Sequence, residues 1–345
     1  MMDDILIRIE GVAGRITLNR PAALNALTYD MVLLIDAALL AWADDPAVRL
    51  VLIDAEGRRA FCSGGDIADL YAAGRRGDQA YGRMFWRDEY RMNRRLAEYG
   101  KPVVSFLNGF VMGGGVGVGC HASHRIVGES AQIAMPECGI GLIPDVGGSA
   151  LLARAPGRLG VYLGLTGARF GPADALFTGF ADHFVPEAEW PALKAQLAET
   201  GEMATMAGQR LPEGGLALLK DEIDRLFGAN SLVGIMEALV ICDSSFATEA
   251  LKALLRNSPL SMACTLALLD RLGPTPPIRQ ALAAEYRFTA RASAQADFLE
   301  GVRAVIVEKD RTCRWRHRSA GEVTASEVEA LLAPLAAGEL TFEEY

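Results

Sequence analysis

Residues 101–120, KPVVSFLNGFVMGGGVGVGC, are the stretch on which the fold turns. Pro102 opens a strand-like apolar run at 103–107, and Asn108-Gly109 marks a turn. Glycines follow at 113, 114, 115, 117 and 119, while Val116 and Val118 carry the apolar pattern on, so a helix is expected to start inside the glycine run. Each glycine in a helix costs roughly 1 kcal/mol relative to alanine. Several together imply a backbone that something else must approach closely. Two uses fit. The free N–H groups and partial positive charge of a helix N-terminus suit an anion or a polarised carbonyl. A helix stripped of side chains also packs tightly on a strand.

The chain around this stretch has 345 residues, 51% of them hydrophobic, enough for a large core in one large or two moderate domains. A net charge of -9 without a basic stripe argues against nucleic acid as a partner. The six cysteines include no C-x-x-C pair, which points to reduced thiols and a cytoplasmic setting. The opening MMDDILIRIE places acids where a targeting peptide carries positive charge. The glycine stretch, interrupted by Pro102 and Asn108, suits a protein interior better than lipid, so no membrane association is expected.

Upstream, 6–10 and 14–19 read as a hairpin ending at Pro21, Thr28 as a helix N-cap, and 49–55 as a strand. The run FCSGGDI at 61–67 reads as a second strand-to-helix loop. Asp66 there is either an N-cap or part of a loop that aims an N–H at the same point as the glycine run. A long charged helix is expected over 78–99 and short strands at 125–128 and 132–135. Two similar constructions follow, Met135-Pro136-Glu137 and Ile143-Pro144-Asp145. Proline fixes its own φ and holds its predecessor extended, so each acid sits on a stiffened backbone, as a catalytic carboxylate requires. The alternative is that Asp145 caps a helix starting near Gly147 and Glu137 ends a strand. Short helices at 157–165 and 172–177 and a last short strand at 182–185 complete this part.

From residue 187 the pattern is helical, over 244–256, 261–272, 278–291 and 294–305, with breaks at Pro259, Gly273 and residues 274–277. The expected organisation is an α/β core at 1–200 and a helical region at 201–345, with the junction between 185 and 215. There is no G-x-S-x-G elbow and no Walker A loop. A loose dinucleotide pattern, Gly117-x-Gly119-x-x-Ala122, falls inside the expected helix rather than at its start, which argues against NAD. His121 and His124 lack a matching Cys or acid cluster, which argues against a metal.

FCSGGDI, NGFVMGGGVG and AMPECGIGLIPDVGG, in that order and spacing, resemble the crotonase (enoyl-CoA hydratase/isomerase) superfamily. Trp86 to Tyr90 and the tract DSSFATEALKALLRNSPLS, continuing to EYRFTAR and DFLEGVRAVIVEKD, are similar to its 3-hydroxyisobutyryl-CoA hydrolase branch. The resemblance spans about residues 5–316. It implies a spiral of ββα units followed by a helical C-terminal region, and an acyl-CoA thioester as substrate. It maps an oxyanion hole onto the backbone N–H groups of Gly65 and Gly114, catalytic carboxylates onto Glu137 and Asp145, and substrate contacts onto Glu89 and Ser63. Enoyl-CoA hydratases typically carry a glutamate three residues after the middle glycine, where this chain has Gly117. The implied reaction is hydrolysis of a short hydroxyacyl-CoA, 3-hydroxyisobutyryl-CoA to 3-hydroxyisobutyrate and CoA in valine catabolism, with no cofactor. The enzymatic rival is an enoyl-CoA hydratase or isomerase; the non-enzymatic one is a CoA-binding scaffold. Homo-oligomers are common in the superfamily. Arg58 and Arg59 either meet CoA phosphates or form a solvated turn.

Overall fold

The computed structural model describes residues 3–203 and 213–342, so part of the expected domain junction lies outside the described residues. Strands β1 (Ile5–Glu10) and β2 (Ala13–Leu18) form the antiparallel hairpin, with Ile5 opposite Leu18 and Glu10 opposite Ala13. Helix α1 (Tyr29–Ala43) starts at the expected cap, where the Met31 N–H donates to the Thr28 hydroxyl at 3.2 Å. A two-strand-plus-helix pattern then recurs along the chain. The first pass is β3 (Leu50–Ala55), β4 (Ala60–Cys62), α2 (Ala68–Arg75) and α3 (Gln79–Ala97). The second is β5 (Val103–Leu107), β6 (Phe110–Met112) and α4 (Gly114–Gly119). The third is β7 (His124–Val127), β8 (Gln132–Ala134), a 3-10 turn at Glu137–Ile140 and α5 (Gly148–Arg154).

Each pass gives one strand to each of two sheets. β3, β5 and β7 run parallel in a six-stranded sheet of order β1-β2-β3-β5-β7-β9, where β9 is His183–Phe184. β4, β6 and β8 form a parallel three-stranded sheet. This is the ββα spiral that the resemblance implied. β5 is buried along its whole length, as a strand covered on both faces must be, which explains its unbroken apolar sequence. α8 (Trp190–Thr200) packs its Trp190 and Leu197 against Leu50, Leu52, Val104, Phe106 and Ile126 of the long sheet.

The remaining helices are α6 (Leu159–Thr166), α7 (Pro172–Thr178), α9 (Leu216–Leu226), α10 (Leu232–Ile241), α11 (Ser245–Arg256), α12 (Pro259–Leu272), α13 (Ile278–Gln295), α14 (Phe298–Val302) and α15 (Ala325–Leu332). One sequence expectation holds here and one needs correction. The break at Pro259 is present: α11 ends at Arg256 and α12 starts at Pro259, whose missing N–H is harmless in a first turn, and Ser258 caps the helix by accepting from the Ser261 N–H at 3.1 Å. The helix expected over 294–305 is interrupted at Ala296-Asp297, resumes as α14, and ends in a π-helical turn at Arg303–Val307. The strand β6 was also not anticipated, because three residues between a turn and a glycine run carry too little pattern.

The chain forms two compact units of interleaved segments. Among the described residues, one comprises those within 1–66, 88–134 and 169–217, and the other those within 67–87, 135–168 and 218–345. All six cysteines are free thiols. Among the described residues no helix is long and apolar enough to cross a membrane. Among those residues there is likewise no cluster of three His, Cys, Asp or Glu side chains able to hold a metal.

Candidate active site

In the first unit the two glycine loops meet. Gly113 has φ 49°, a conformation open to glycine but strained for other residues, and α4 begins directly after it. A Cβ built on Gly114 would lie 3.1 Å from the Gly65 nitrogen and 3.1 Å from Glu89 Oε1. The Gly65 loop is pinned to residue 27 by two bonds that leave the Gly65 N–H out: Leu27 N–H to the Gly64 carbonyl at 2.9 Å, and Asp66 N–H to the Leu27 carbonyl at 2.8 Å. Gly65, Gly114 and Glu89, chosen from three separate places in the sequence, are therefore neighbours. Glu89 is buried at 2% exposure, deep in α3.

The glycine run serves both of the uses its sequence left open, at different residues. Cβ atoms on Gly115 and Gly119 would lie 2.3 Å from the Cys62 carbonyl oxygen and 2.5 Å from Leu107 Cδ2, so these two permit helix-on-strand packing. Gly114 instead borders the point where the loops converge.

Asp66 is not an N-cap. Its carboxylate accepts from Arg20 Nη1 at 3.0 Å, and Arg20 Nη1 also donates to the Ala26 carbonyl at 2.6 Å. Ser63 donates its N–H to the Leu24 carbonyl at 3.0 Å. Leu24 and the adjacent Asn25 both hold positive φ, 51° and 55°. The Asn25 side chain fixes this turn, accepting from the Arg20 N–H at 2.7 Å and donating to the Glu56 and Ala60 carbonyls at 2.9 Å. This turn, built against the Ser63 loop, is a feature the sequence reading missed. An asparagine four residues after a proline was its only signal.

The second unit holds the acids. Glu137 opens its 3-10 turn directly after Pro136, and its carbonyl accepts from the Leu142 N–H at 3.0 Å. Its side chain is buried at 5% exposure, and Oε2 has no hydrogen-bond partner among the described residues. Burial first, then the charge of Asp145 and more weakly that of Glu285, hold the Glu137 carboxyl well above the usual carboxylate range. Asp145, also buried, sits at the head of a tight turn closed by the Gly148 N–H donating to the Asp145 carbonyl at 2.7 Å. Both central residues of that turn have positive φ, Val146 at 52° and Gly147 at 78°.

The N-cap position of α5 is Gly147, and the groups of its first turn are met from elsewhere in the sequence. Glu285, in the middle of α13 and with no exposed surface, accepts from the Gly147 N–H at 2.8 Å, from the Ser149 N–H at 3.1 Å and from the Ser149 hydroxyl. Burial pushes its carboxyl up to about 8, with Asp145 adding to the shift and the hydrogen bonds opposing it. Glu285 opens the EYRFTAR segment that carried the resemblance, yet the sequence reading gave it no role, because one glutamate in an amphipathic helix carries no local mark of what it faces. A groove of about 660 Å³ in this unit, bordered by Arg158, Asp270 and Glu329 among others, contains none of the sequence-selected residues.

A model of the enoyl-CoA hydratase/isomerase family matches residues 13–332. The chain is 38% identical to a mitochondrial 3-hydroxyisobutyryl-CoA hydrolase of Xenopus tropicalis, over 98% of this chain and 90% of that protein. To the human protein of the same name it is 36% identical, over 99% and 91%. Among solved structures it resembles an enoyl-CoA hydratase from Rhodobacter sphaeroides 2.4.1, with TM-score 0.97, 62% identity, and 99% of this chain and 100% of that chain covered. It also resembles a carnitinyl-CoA dehydratase from Mycobacterium thermoresistibile, with TM-score 0.94, 41% identity and coverage of 99% and 100%. The chain belongs to the enoyl-CoA hydratase/isomerase (crotonase) family. Its relatives' names carry a mitochondrial location, which lends no support to the cytoplasmic setting expected from the cysteines.

Proposed function

We propose that the protein hydrolyses a short hydroxyacyl-CoA thioester, with 3-hydroxyisobutyryl-CoA as its substrate and 3-hydroxyisobutyrate and CoA as products. The observation that carries this reading is the Glu137 carboxyl, buried with one oxygen lacking a partner among the described residues and its proton affinity raised by burial. A side chain held in so unfavourable a setting has a role other than stability. In the reading, the N–H groups of Gly65 and Gly114 receive the thioester oxygen as negative charge develops on it. Glu137 supplies the base that takes a proton from water, or the nucleophile that forms a mixed anhydride which water then opens. In either route the carbon–sulfur bond breaks, CoA leaves as the thiol with the proton delivered to sulfur, and water supplies the new carboxylate oxygen. Asp145 orients the water or the substrate hydroxyl, Glu89 the acyl group, and Ser63 borders the CoA. No cofactor is required.

Hydrolysis is favoured over hydration by the composition of α4. Hydration of an enoyl group needs an acid and a base on one water, and α4, Gly114–Gly119, carries no carboxylate, with glycine at position 117. The likeness to the Rhodobacter sphaeroides enoyl-CoA hydratase keeps enoyl-CoA hydration as the second reading. The two separate in one assay. Hydrolysis releases free thiol from 3-hydroxyisobutyryl-CoA, whereas hydration bleaches the conjugated chromophore of crotonyl-CoA without thiol release. Thiol release that is faster than enoyl bleaching is the expected result; the reverse overturns the proposal.

A further inference from the structure

We propose that Glu285 is the positioning residue of the acid site, gripping the turn 145–149 from α13 so that Asp145 is held in one orientation. This inference rests on the proposed roles of Glu137 and Asp145. The turn is strained. Val146 has φ 52°, in a region that β-branched residues avoid, and such a conformation costs on the order of 1–3 kcal/mol unless the surroundings impose it. The turn's own closing bond, Gly148 N–H to the Asp145 carbonyl, does not by itself select that geometry over an ordinary turn.

What does select it is the Glu285 carboxyl. One oxygen takes the Gly147 N–H at 2.8 Å, and the other takes both the N–H at 3.1 Å and the hydroxyl of Ser149. Three donors from Gly147 and Ser149 thus converge on one side chain 136 to 138 residues away in sequence. The capping role that sequence position suggested for Asp145 is filled by Glu285 instead. The backbone that carries Asp145 is thereby fixed from a different helix.

The same carboxyl also has an electrostatic effect. The charged groups acting on Glu137 are Asp145 and Glu285, and the charge acting on Glu285 is Asp145, with Ser149 and Gly147 as its donors. With its carboxyl pushed up to about 8, Glu285 is uncharged through the acidic and neutral range, so there its substitution should act on rate through position, and its charge bears on Glu137 only at higher pH.

The test uses the full-length protein and thiol release from 3-hydroxyisobutyryl-CoA. Glu285→Gln places an amide NH2 where the turn presents N–H donors. It is expected to lower kcat per folded molecule about tenfold or more at neutral pH and to leave KM within about twofold, a split that a loss of substrate binding would not give. Ser149→Ala removes the hydroxyl and keeps both N–H bonds, so a fall of about twofold to fivefold in kcat is expected. It also serves if the glutamine variant does not fold. Wild-type kcat in folded Glu285→Gln overturns the inference. So does a loss of rate that only tracks a loss of folded protein, or, where Glu285→Gln does not fold, wild-type kcat in Ser149→Ala. Asp145→Asn and Glu137→Gln run alongside. If those two hydrolyse the thioester at wild-type rate, the reading of the acid site itself fails, independently of Glu285.

Discussion

Two buried carboxylates in this molecule are treated in opposite ways. Asp54, on β3 in the first unit, accepts from Arg15 Nη2 at 2.6 Å, from the Thr17 hydroxyl at 2.6 Å and from Lys194 Nζ at 2.7 Å. Lys194 also lies 4.7 Å above the Phe106 ring and 5.5 Å above that of Trp190, which keeps the ammonium in place. Burial alone would raise the Asp54 carboxyl, but the Lys194 charge and the hydrogen bonds from Arg15, Lys194 and Thr17 outweigh it and hold it below its usual value. For Glu137 in the second unit burial carries the carboxyl the other way, aided by the charges of two further acids and opposed by a hydrogen bond from its own backbone. A structural charge is surrounded until it is satisfied, whereas a carboxyl that must exchange a proton or attack a carbonyl is left short of partners. The difference is the one that the roles proposed for the two side chains, buttress and reagent, require.

The sharpest way to break the comparison is to remove each charge while keeping the shape. Glu137→Gln should cut kcat for thiol release by about 10³-fold, since it removes a group proposed as base or nucleophile. A variant with intact turnover would return Glu137 to the structural class. Asp54→Asn should leave kcat per folded molecule unchanged and destabilise the protein by about 3 kcal/mol, because Arg15 and Lys194 keep their charges after the partner has gone. Urea unfolding at neutral pH measures it, and a loss under about 1 kcal/mol would show that the cluster relaxes into solvent. Gly114→Ala should lower kcat by about 10²-fold, because the new methyl would sit 3.1 Å from the Gly65 nitrogen, where the oxyanion is proposed to lie. Gly115→Ala, which meets the Cys62 carbonyl instead, should act through stability.

How much of this could be seen in the sequence depended on the range of the interactions. Thr28 and the strand at β5 were legible because capping and continuous burial act within a few residues. The pairing of Gly65 with Gly114 and Glu89 was suspected because two glycine loops in one chain and a family resemblance pointed to a common target. The ββα repeat came from the resemblance and not from the pattern, since β4 and β6 are three residues each and have no measurable periodicity, although β8 falls within the strand expected at 132–135. Glu285 and the Lys194–Asp54 contact lay beyond reach for another reason. Their partners are 136 to 140 residues distant, and a single charged residue on a helix looks the same whether it faces water or a buried turn. The Leu24-Asn25 turn fell between these cases, with one local cue and its meaning fixed only by Glu56 and Ala60.

The smallest effect gives the clearest contrast, because the two carboxyls should shift stability with pH in opposite directions. Glu137 binds its proton more tightly folded than unfolded. Its favourable contribution is therefore full below the ordinary value of 4.5 and is lost as pH rises toward the folded value. Replacing it with neutral glutamine removes that loss, so Glu137→Gln should be more stable than the parent by roughly 1 kcal/mol at pH 7 and indistinguishable from it near pH 4. Asp54 is bound more loosely by its proton when folded, so its contribution is present above the ordinary value of 3.8 and fades as pH falls below it. The deficit of Asp54→Asn should accordingly be widest at neutral pH and shrink in acid. Thermal melts of both variants and the parent from about pH 2 to pH 8 would show one gap opening upward and the other opening downward, with the Asp54 gap closing below 3.8. Two gaps of the same sign would mean that the burial of Glu137 is compensated, and that the carboxyl proposed as reagent is held as firmly as the buttress.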